Sequence, residues 1–242
     1  MQGNDLFDLK DRIIVITGGL GQLGRQFALE FVDRGARVAI FNRSIPDEAT
    51  LRSRFPVDFT SLLFCAVDIT RKASIEAGLE KVVAAWGVPD VLVNNAGLDT
   101  QPSAPPEVSG PFEEFPEAVW REVIEVNMTG TFLCCQVVGG AMAKAGRGSV
   151  VNVGSIYGML SPVQPIYAYK EKKTGTPFVK PVAYSASKSG LYNFTRYLAT
   201  YWARRGVRVN ILTPSGVRRD SQDAEFQANY CERMPIGRMA ED

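Results

Sequence analysis

Ile13-Ile-Val-Ile-Thr17, running without a break into Gly18-Gly-Leu-Gly-Gln-Leu-Gly24, decides the fold. A continuous β-branched run with no polar alternation predicts a short strand buried on both faces. The glycines end it. Across residues 22–34, Leu23, Phe27, Ala28, Phe31 and Val32 then recur at helical spacing. Gly19, Gly21 and Gly24 fit G-x-G-x-x-G between that strand and that helix. There, glycine permits the tight turn and close backbone approach, while the free N–H groups and dipole of the helix face a pyrophosphate. A glycine turn serving only the chain reversal fits the same spacing.

The alternation continues outward. Residues 38–41, 62–67, 91–93, 149–153 and 207–212 read as strands. Residues 74–86, a long stretch through Asn127 and Cys135, and residues 186–204 read as helices. Six strands separated mainly by helices predict an α/β fold with a doubly wound parallel sheet and helices on both faces, because parallel neighbours need crossover connections. At 242 residues and 26.5 kDa the chain suits one domain spanning 1–242. Two stretches break the rhythm: the proline-rich 98–116, and 161–181, which carries prolines and Lys170, Lys172, Lys173 and Lys180. Both follow predicted strands, where ligand-covering loops of such sheets lie.

Composition narrows the chemistry. Hydrophobic residues at 45% and charged residues at 22% are globular values and argue against a disordered chain. A net charge of +1 provides no field for nucleic acid or an anionic membrane, so the expected partners are a small molecule and further copies of the chain. There is no histidine, which excludes Ser-His-Asp and Cys-His chemistry and His-ligated zinc; no metal is expected. Cys65, Cys134, Cys135 and Cys231 form no C-x-x-C pair, consistent with a reducing cytoplasm. The polar N-terminus reads as no targeting signal, and no uninterrupted apolar run reaches the length of a membrane span.

Thr17-Gly18 with Gly21 and Gly24, Asn94-Asn95-Ala96-Gly97, Asn127, Ser155 and Tyr184-Ser-Ala-Ser-Lys188 occur together in an order and spacing that resembles the short-chain dehydrogenase/reductase superfamily, compact single-domain branch. The resemblance implies a Rossmann-type sheet and an NAD(P)-dependent oxidoreductase acting on CH–OH groups. Tyr184 and Lys188, at i and i+4, share one helical face, so the ammonium favours the phenolate and makes Tyr184 a proton donor to a carbonyl or acceptor from an alcohol. By resemblance, Ser155 bonds the substrate oxygen, Lys188 also holds the nicotinamide ribose, and Asn127 supports a water on the proton path. Cofactor contacts are expected from Gly18, Gly21, Gln22, Leu23 and Gly24, from Asp68-Ile69 at the adenine, from Asn95, Ala96 and Gly97, and from Pro214 and Val217 at the carboxamide. The second strand ends in Asn42-Arg43, with no acid for the ribose hydroxyls and an arginine suited to a 2′-phosphate, so NADP is favoured over NAD.

Several features depart from the compact pattern. Ser155 and Tyr184 are 29 residues apart rather than about 13, the glycine spacing is that of the longer nucleotide-sugar branch, and the chain stops at Asp242 before the family's final strand. The intervening insert, 161–181, reads as a substrate lid, its lysines and Tyr167, Tyr169 and Phe178 suiting an anionic sugar. The layout resembles members associated with surface-sugar and flagellin-modification pathways. A nucleotide-sugar epimerase or dehydratase that retains NAD, and a non-catalytic dinucleotide-binding sensor, are the alternatives. Apolar residues on more than one face of the helices near 129–144 and 187–204 predict a homodimer or homotetramer.

Overall fold

The computed structural model describes residues 7–100, 102 and 104–242. Residues 1–6 of the N-terminal segment, and Gln101 and Ser103 of the proline-rich stretch, lie outside it. The chain divides into two compact units.

The first unit comprises Met1–Ala96, Thr129–Val153 and Phe194–Ile211. It carries the sheet: β1 (Ile13–Thr17), β2 (Arg37–Asn42), β3 (Leu62–Ala66), β4 (Val91–Asn94), β5 (Gly148–Val153) and β6 (Val207–Leu212). Their order is β3-β2-β1-β4-β5-β6, and the β1–β2, β1–β4, β2–β3 and β4–β5 pairs are parallel. All five residues of β1 are buried, as its unbroken apolar run requires. Ile14 pairs with Val38 on one side and Val91 on the other. Chain direction switches between β1 and β4, which puts the loops after these two strands at the position where doubly wound sheets bind ligands. Helix Gln22–Asp33 covers the sheet through Ala28, within a core that includes Ile14, Ile16, Val38, Ile40 and Val93.

The second unit comprises Gly97–Met128, Gly154–Asn193 and Leu212–Asp242. Its core is aromatic: Ile166, Tyr167, Tyr169 and Phe178 pack with Phe226, Tyr230 and Met239. Helices Ala168–Thr174 and Ala224–Cys231 supply most of these rings. The Tyr167 ring centroid lies 4.9 Å from Phe178 and 5.6 Å from Phe226. The 161–181 stretch is therefore partly helical and anchored by its aromatic residues. This corrects the expectation that Tyr167, Tyr169 and Phe178 present open faces to a sugar: their rings are taken up by each other.

Helix Val182–Trp202 begins four residues earlier than periodicity suggested. Helix Glu117–Ala145 contains two π-helical turns, Glu125–Thr129 and Cys135–Gly139. By length and composition only it is long and apolar enough to cross a membrane, although no uninterrupted apolar run marks it in the sequence. Half of its apolar stretch is buried inside the fold, as in the core helix of a globular protein.

Candidate active site

The glycine turn is built by exclusion. Gly18 has φ +65°, and a Cβ there would stand 2.8 Å from the Ala96 Cα. A Cβ on Gly19 would meet Ile40 at 2.8 Å, and one on Gly24 would run into the Gly18 carbonyl oxygen and the Asn95 amide. Gly21 differs: its Cβ would meet only the Gly18 oxygen, at 3.3 Å. The turn is held from the side by Thr17 Oγ1, which accepts from the Asn95 and Ala96 N–H groups at 3.1 Å each. Asn95 Nδ2 donates to the Thr17 and Gly18 carbonyls at 3.1 and 3.0 Å. No side-chain hydrogen bond caps the helix at Gly21, and Gln22, Leu23 and Gly24 open it at an N-terminus that suits a phosphate.

The rest of the expected cofactor set is accounted for residue by residue. Asn42 Nδ2 turns to the Ser44 carbonyl at 3.1 Å, and Arg43 is exposed just beyond β2. The Asp68 carboxylate accepts from Thr70 N and Oγ1, hydrogen bonds that hold it below the usual carboxylate range, with Arg43 adding a smaller pull. Ile69 beside it is buried. These residues, like the turn, belong to the first unit, whereas Gly97, Pro214 and Val217 belong to the second. The Pro214 carbonyl accepts from Ile156 N at 3.1 Å, and Val217 pairs with Ala240 in an isolated parallel bridge. A cradle that a Cβ would fill, together with an exposed arginine after β2, fits a dinucleotide.

Asn127, Ser155, Tyr184 and Lys188 all lie in the second unit, and the structure brings them together. Asn127, in the first π-helical turn, is 1% exposed. Its Oδ1 accepts from Leu98 N at 2.7 Å, and its Nδ2 donates to the Leu98 carbonyl and to Ser187 Oγ, both at 2.9 Å. Ser187 Oγ in turn donates to the Tyr184 carbonyl at 2.7 Å, so Asn127 braces the helix that carries the tyrosine. A Cβ on Gly97 would approach Asn127 Oδ1 at 3.3 Å and Lys188 Nζ at 3.6 Å, which places that turn against both side chains.

Ser155 follows β5 on extended backbone and is buried. Its Oγ accepts from Tyr157 N at 3.2 Å and is hydrogen-bonded to Tyr184. Its carbonyl accepts from the Tyr192 hydroxyl at 2.9 Å. Lys188 Nζ lies 5.8 Å from the Tyr184 ring centroid. Burial pushes the Tyr184 phenol up to about 12, aided by the Asp99 charge and opposed by the Ser155 hydrogen bond. Burial likewise pulls Lys188 down to about 8, against the attraction of Asp99. Both shifts disfavour the ion pair of phenolate and ammonium.

Two residues near Tyr184 escaped the sequence reading. Lys180 is buried, and its Nζ lies 5.3 Å from the Tyr184 ring centroid and bonds Asp99. In the sequence Lys180 stood as one more cation of the insert; its position four residues before Tyr184 was the available signal. Of the other insert lysines, Lys173 pairs with Asp223 at 2.8 Å. A cavity of about 450 Å³ is lined by Phe112, Phe115, Tyr157, Met159, Lys180 and Ser185, among others, within the same unit. Among the described residues, no group of three His, Cys, Asp or Glu side chains could hold a metal ion.

Comparison with known proteins agrees with this geometry. The family model for short chain dehydrogenase matches residues 12–177 and 172–229. A D-threitol dehydrogenase of Mycolicibacterium smegmatis is 31% identical over 211 residues, covering 87% of this chain and 72% of the relative. A short-chain dehydrogenase of Leptospira borgpetersenii, solved with bound NAD+, superposes with a TM-score of 0.81 at 30% identity over 99% of this chain and 85% of its own. A gluconate 5-dehydrogenase of Burkholderia cenocepacia, solved with NADP and tartrate, gives 0.80 at 27% identity over 97% and 85%. The chain belongs to the short-chain dehydrogenase family and is an NAD(P)-dependent oxidoreductase acting on CH–OH groups.

Proposed function

We propose that the protein interconverts a ketone and a secondary alcohol on an anionic sugar-type substrate, with Tyr184 moving the proton. The observation that carries this reading is the half-buried Tyr184 phenol, hydrogen-bonded to Ser155 and 5.8 Å from the Lys188 ammonium at its ring centroid. In reduction, Tyr184 Oη gives its proton to the carbonyl oxygen; in oxidation it takes the alcohol proton. Ser155 Oγ orients that oxygen, and Lys188 stabilises the phenolate left after transfer. Asn127 holds the Tyr184 helix through Ser187 and supports a water on the onward proton path. Bound at the glycine turn, the cofactor supplies or accepts the hydride.

NADP is the preferred cofactor, because Arg43 is exposed where a 2′-phosphate would stand and no carboxylate ends β2. A sugar-type substrate is supported by relatives named for threitol and gluconate. Its anionic group is met by Lys170 and Lys172, for which no ion pair is seen among the described residues, with 161–181 acting as a cover on a single catalytic domain. The four cysteines are free, which suits the cytoplasm. Phe132, Tyr197 and Tyr201 remain 43%, 60% and 54% exposed on the first unit, and we assign them to contacts between copies in a homodimer or homotetramer.

The test is purified protein with NADPH or NADH and a panel of keto sugars and keto acids. Net consumption of reduced cofactor with alcohol formation is the expected result. Product without net consumption points to an epimerase, and binding without turnover to a sensor; either outcome overturns the proposal.

A further inference from the structure

Two ammonium groups lie near the Tyr184 ring, and only Lys188 belongs to the Tyr-Ser-Ala-Ser-Lys run. The second, Lys180, lies two residues ahead of helix Val182–Trp202 and has a side chain only 4% exposed. Its backbone is clamped on both sides by one side chain: Lys180 N donates to Gln164 Oε1 at 2.8 Å, and Gln164 Nε2 donates to the Lys180 carbonyl at 3.1 Å. Its Nζ donates to Asp99 Oδ1 at 2.5 Å and to the Thr100 carbonyl at 2.8 Å. An ammonium this deeply buried requires compensation, and the Asp99 carboxylate provides it. Asp99 is 31% exposed at its side chain, so the pair has one dry and one wet partner.

This pair is placed to act on the phenol. Asp99 raises the pKa of Tyr184, and it also supports the charged forms of Lys180 and Lys188, so one carboxylate reaches all three groups. The titratable and polar groups that face Tyr184 are Asp99 from the loop after β4, Tyr157 and Ser155 after β5, Lys180 ahead of the helix, Lys188 and Tyr192 on it, and Tyr230 from helix Ala224–Cys231. Asp99 is the carboxylate among them, and Lys180 is bonded to it. The Lys180 ammonium, bonded to that carboxylate and 5.3 Å from the Tyr184 ring centroid, opposes its pull on the phenol.

We infer that Lys180 is a positioning residue for proton transfer: paired with Asp99, it offsets the carboxylate's field at Tyr184 and shifts the balance between phenol and phenolate. The inference rests on the reading of Tyr184 as the proton-transfer group. A lysine that merely straps the 99–100 segment to the stretch ahead of the helix would have the same hydrogen bonds but no effect on that balance.

Tyrosine labelled with carbon-13 at Cζ, in protein saturated with NADP+, reports ionisation of Tyr184 directly, its signal being assigned by its loss in Tyr184→Phe. Lys180→Gln retains a donor for Asp99 and removes only the charge. It should move the Tyr184 midpoint upward by about one pH unit, the size of effect expected from one nearby charge. Lys180→Met, which removes the donors as well, should give a similar upward shift. Combining Lys180→Gln with Asp99→Asn should return the midpoint to near wild type. An unmoved midpoint in both single variants, or a double variant that stays shifted, overturns the inference. Turnover retained in Tyr184→Phe would instead remove the mechanistic reading while leaving the measured effect on the phenol intact.

Discussion

The glycine turn at 17–24 and the insert at 161–181 are specified in opposite ways. At the turn, steric exclusion fixes the residue types: Gly18 and Gly24 have no room for a Cβ, and Thr17 and Asn95 close the hydrogen bonds around them. In the insert a few side chains fix the backbone. Tyr167 and Phe178 enter an aromatic core, Lys173 pairs with Asp223, and Lys180 pairs with Asp99. Each ring pair there contributes roughly 0.5–1.5 kcal/mol beyond area burial. A glycine therefore carries its meaning locally, whereas a lysine acquires its meaning from a partner distant in sequence. The same contrast separates residues that hold the protein together from residues held at a cost for chemistry.

Lys188 gives the largest expected break between those two classes. Lys188→Met should lower turnover by roughly 10²-fold or more, since the phenolate loses its cation. Yet the thermal midpoint at pH 7 should not fall below wild type, because a cation that burial disfavours has been removed. The sign follows from protonation. Burial pulls Lys188 down to about 8 in the folded chain, against about 10.4 for the unfolded side chain. Between these values the unfolded chain binds more protons, so the Lys188 contribution to stability rises with pH across that window. A large drop in midpoint for Lys188→Met at pH 7 would place the lysine among the structural residues.

The turn itself provides the next test. Gly24→Ala forces a Cβ into the Gly18 carbonyl and should cost about 1–3 kcal/mol, read as a lowered unfolding midpoint. Gly21→Ala meets only one oxygen, at 3.3 Å, and should leave the midpoint near wild type while weakening NADPH binding. Equal midpoints for the two variants would show that packing does not distinguish these glycines.

Much of the first unit was legible because β1 is an unbroken β-branched run and Leu23, Phe27, Ala28, Phe31 and Val32 repeat at helical spacing over three turns. Asn127, Ser155, Tyr184 and Lys188 were legible through resemblance, and their proximity emerged only in the fold. Helices Ala168–Thr174 and Ala224–Cys231 were not legible: seven and eight residues, with one ring and two rings respectively, set no period. The role of Tyr167 and Phe178 depended on Phe226, some fifty residues away in sequence, so composition alone made them look like ligand faces. Lys180 stood among the four lysines of the insert, and only its position four residues before Tyr184 set it apart as the buried one.

Arg43→Ala should produce a smaller effect confined to one cofactor. A charge-assisted contact of about 1.5–3 kcal/mol predicts at least a tenfold loss of NADPH affinity with NADH affinity unchanged, measured by fluorescence titration. Equal losses would mean that Arg43 does not meet the 2′-phosphate. Smallest of all, Lys170→Ala with Lys172→Ala should raise KM for a phosphorylated sugar several-fold at low ionic strength and less at high, because salt screens exposed charges. A KM indifferent to both the substitution and salt would leave those lysines as solvated surface.

The most direct test of the central claim is Tyr184→Phe, which removes the transferable proton and keeps the ring. The account predicts that turnover falls by roughly 10²–10⁴-fold while NADPH binding and the unfolding midpoint stay near wild type. Turnover close to wild type, with the variant folded and cofactor-bound, would contradict it.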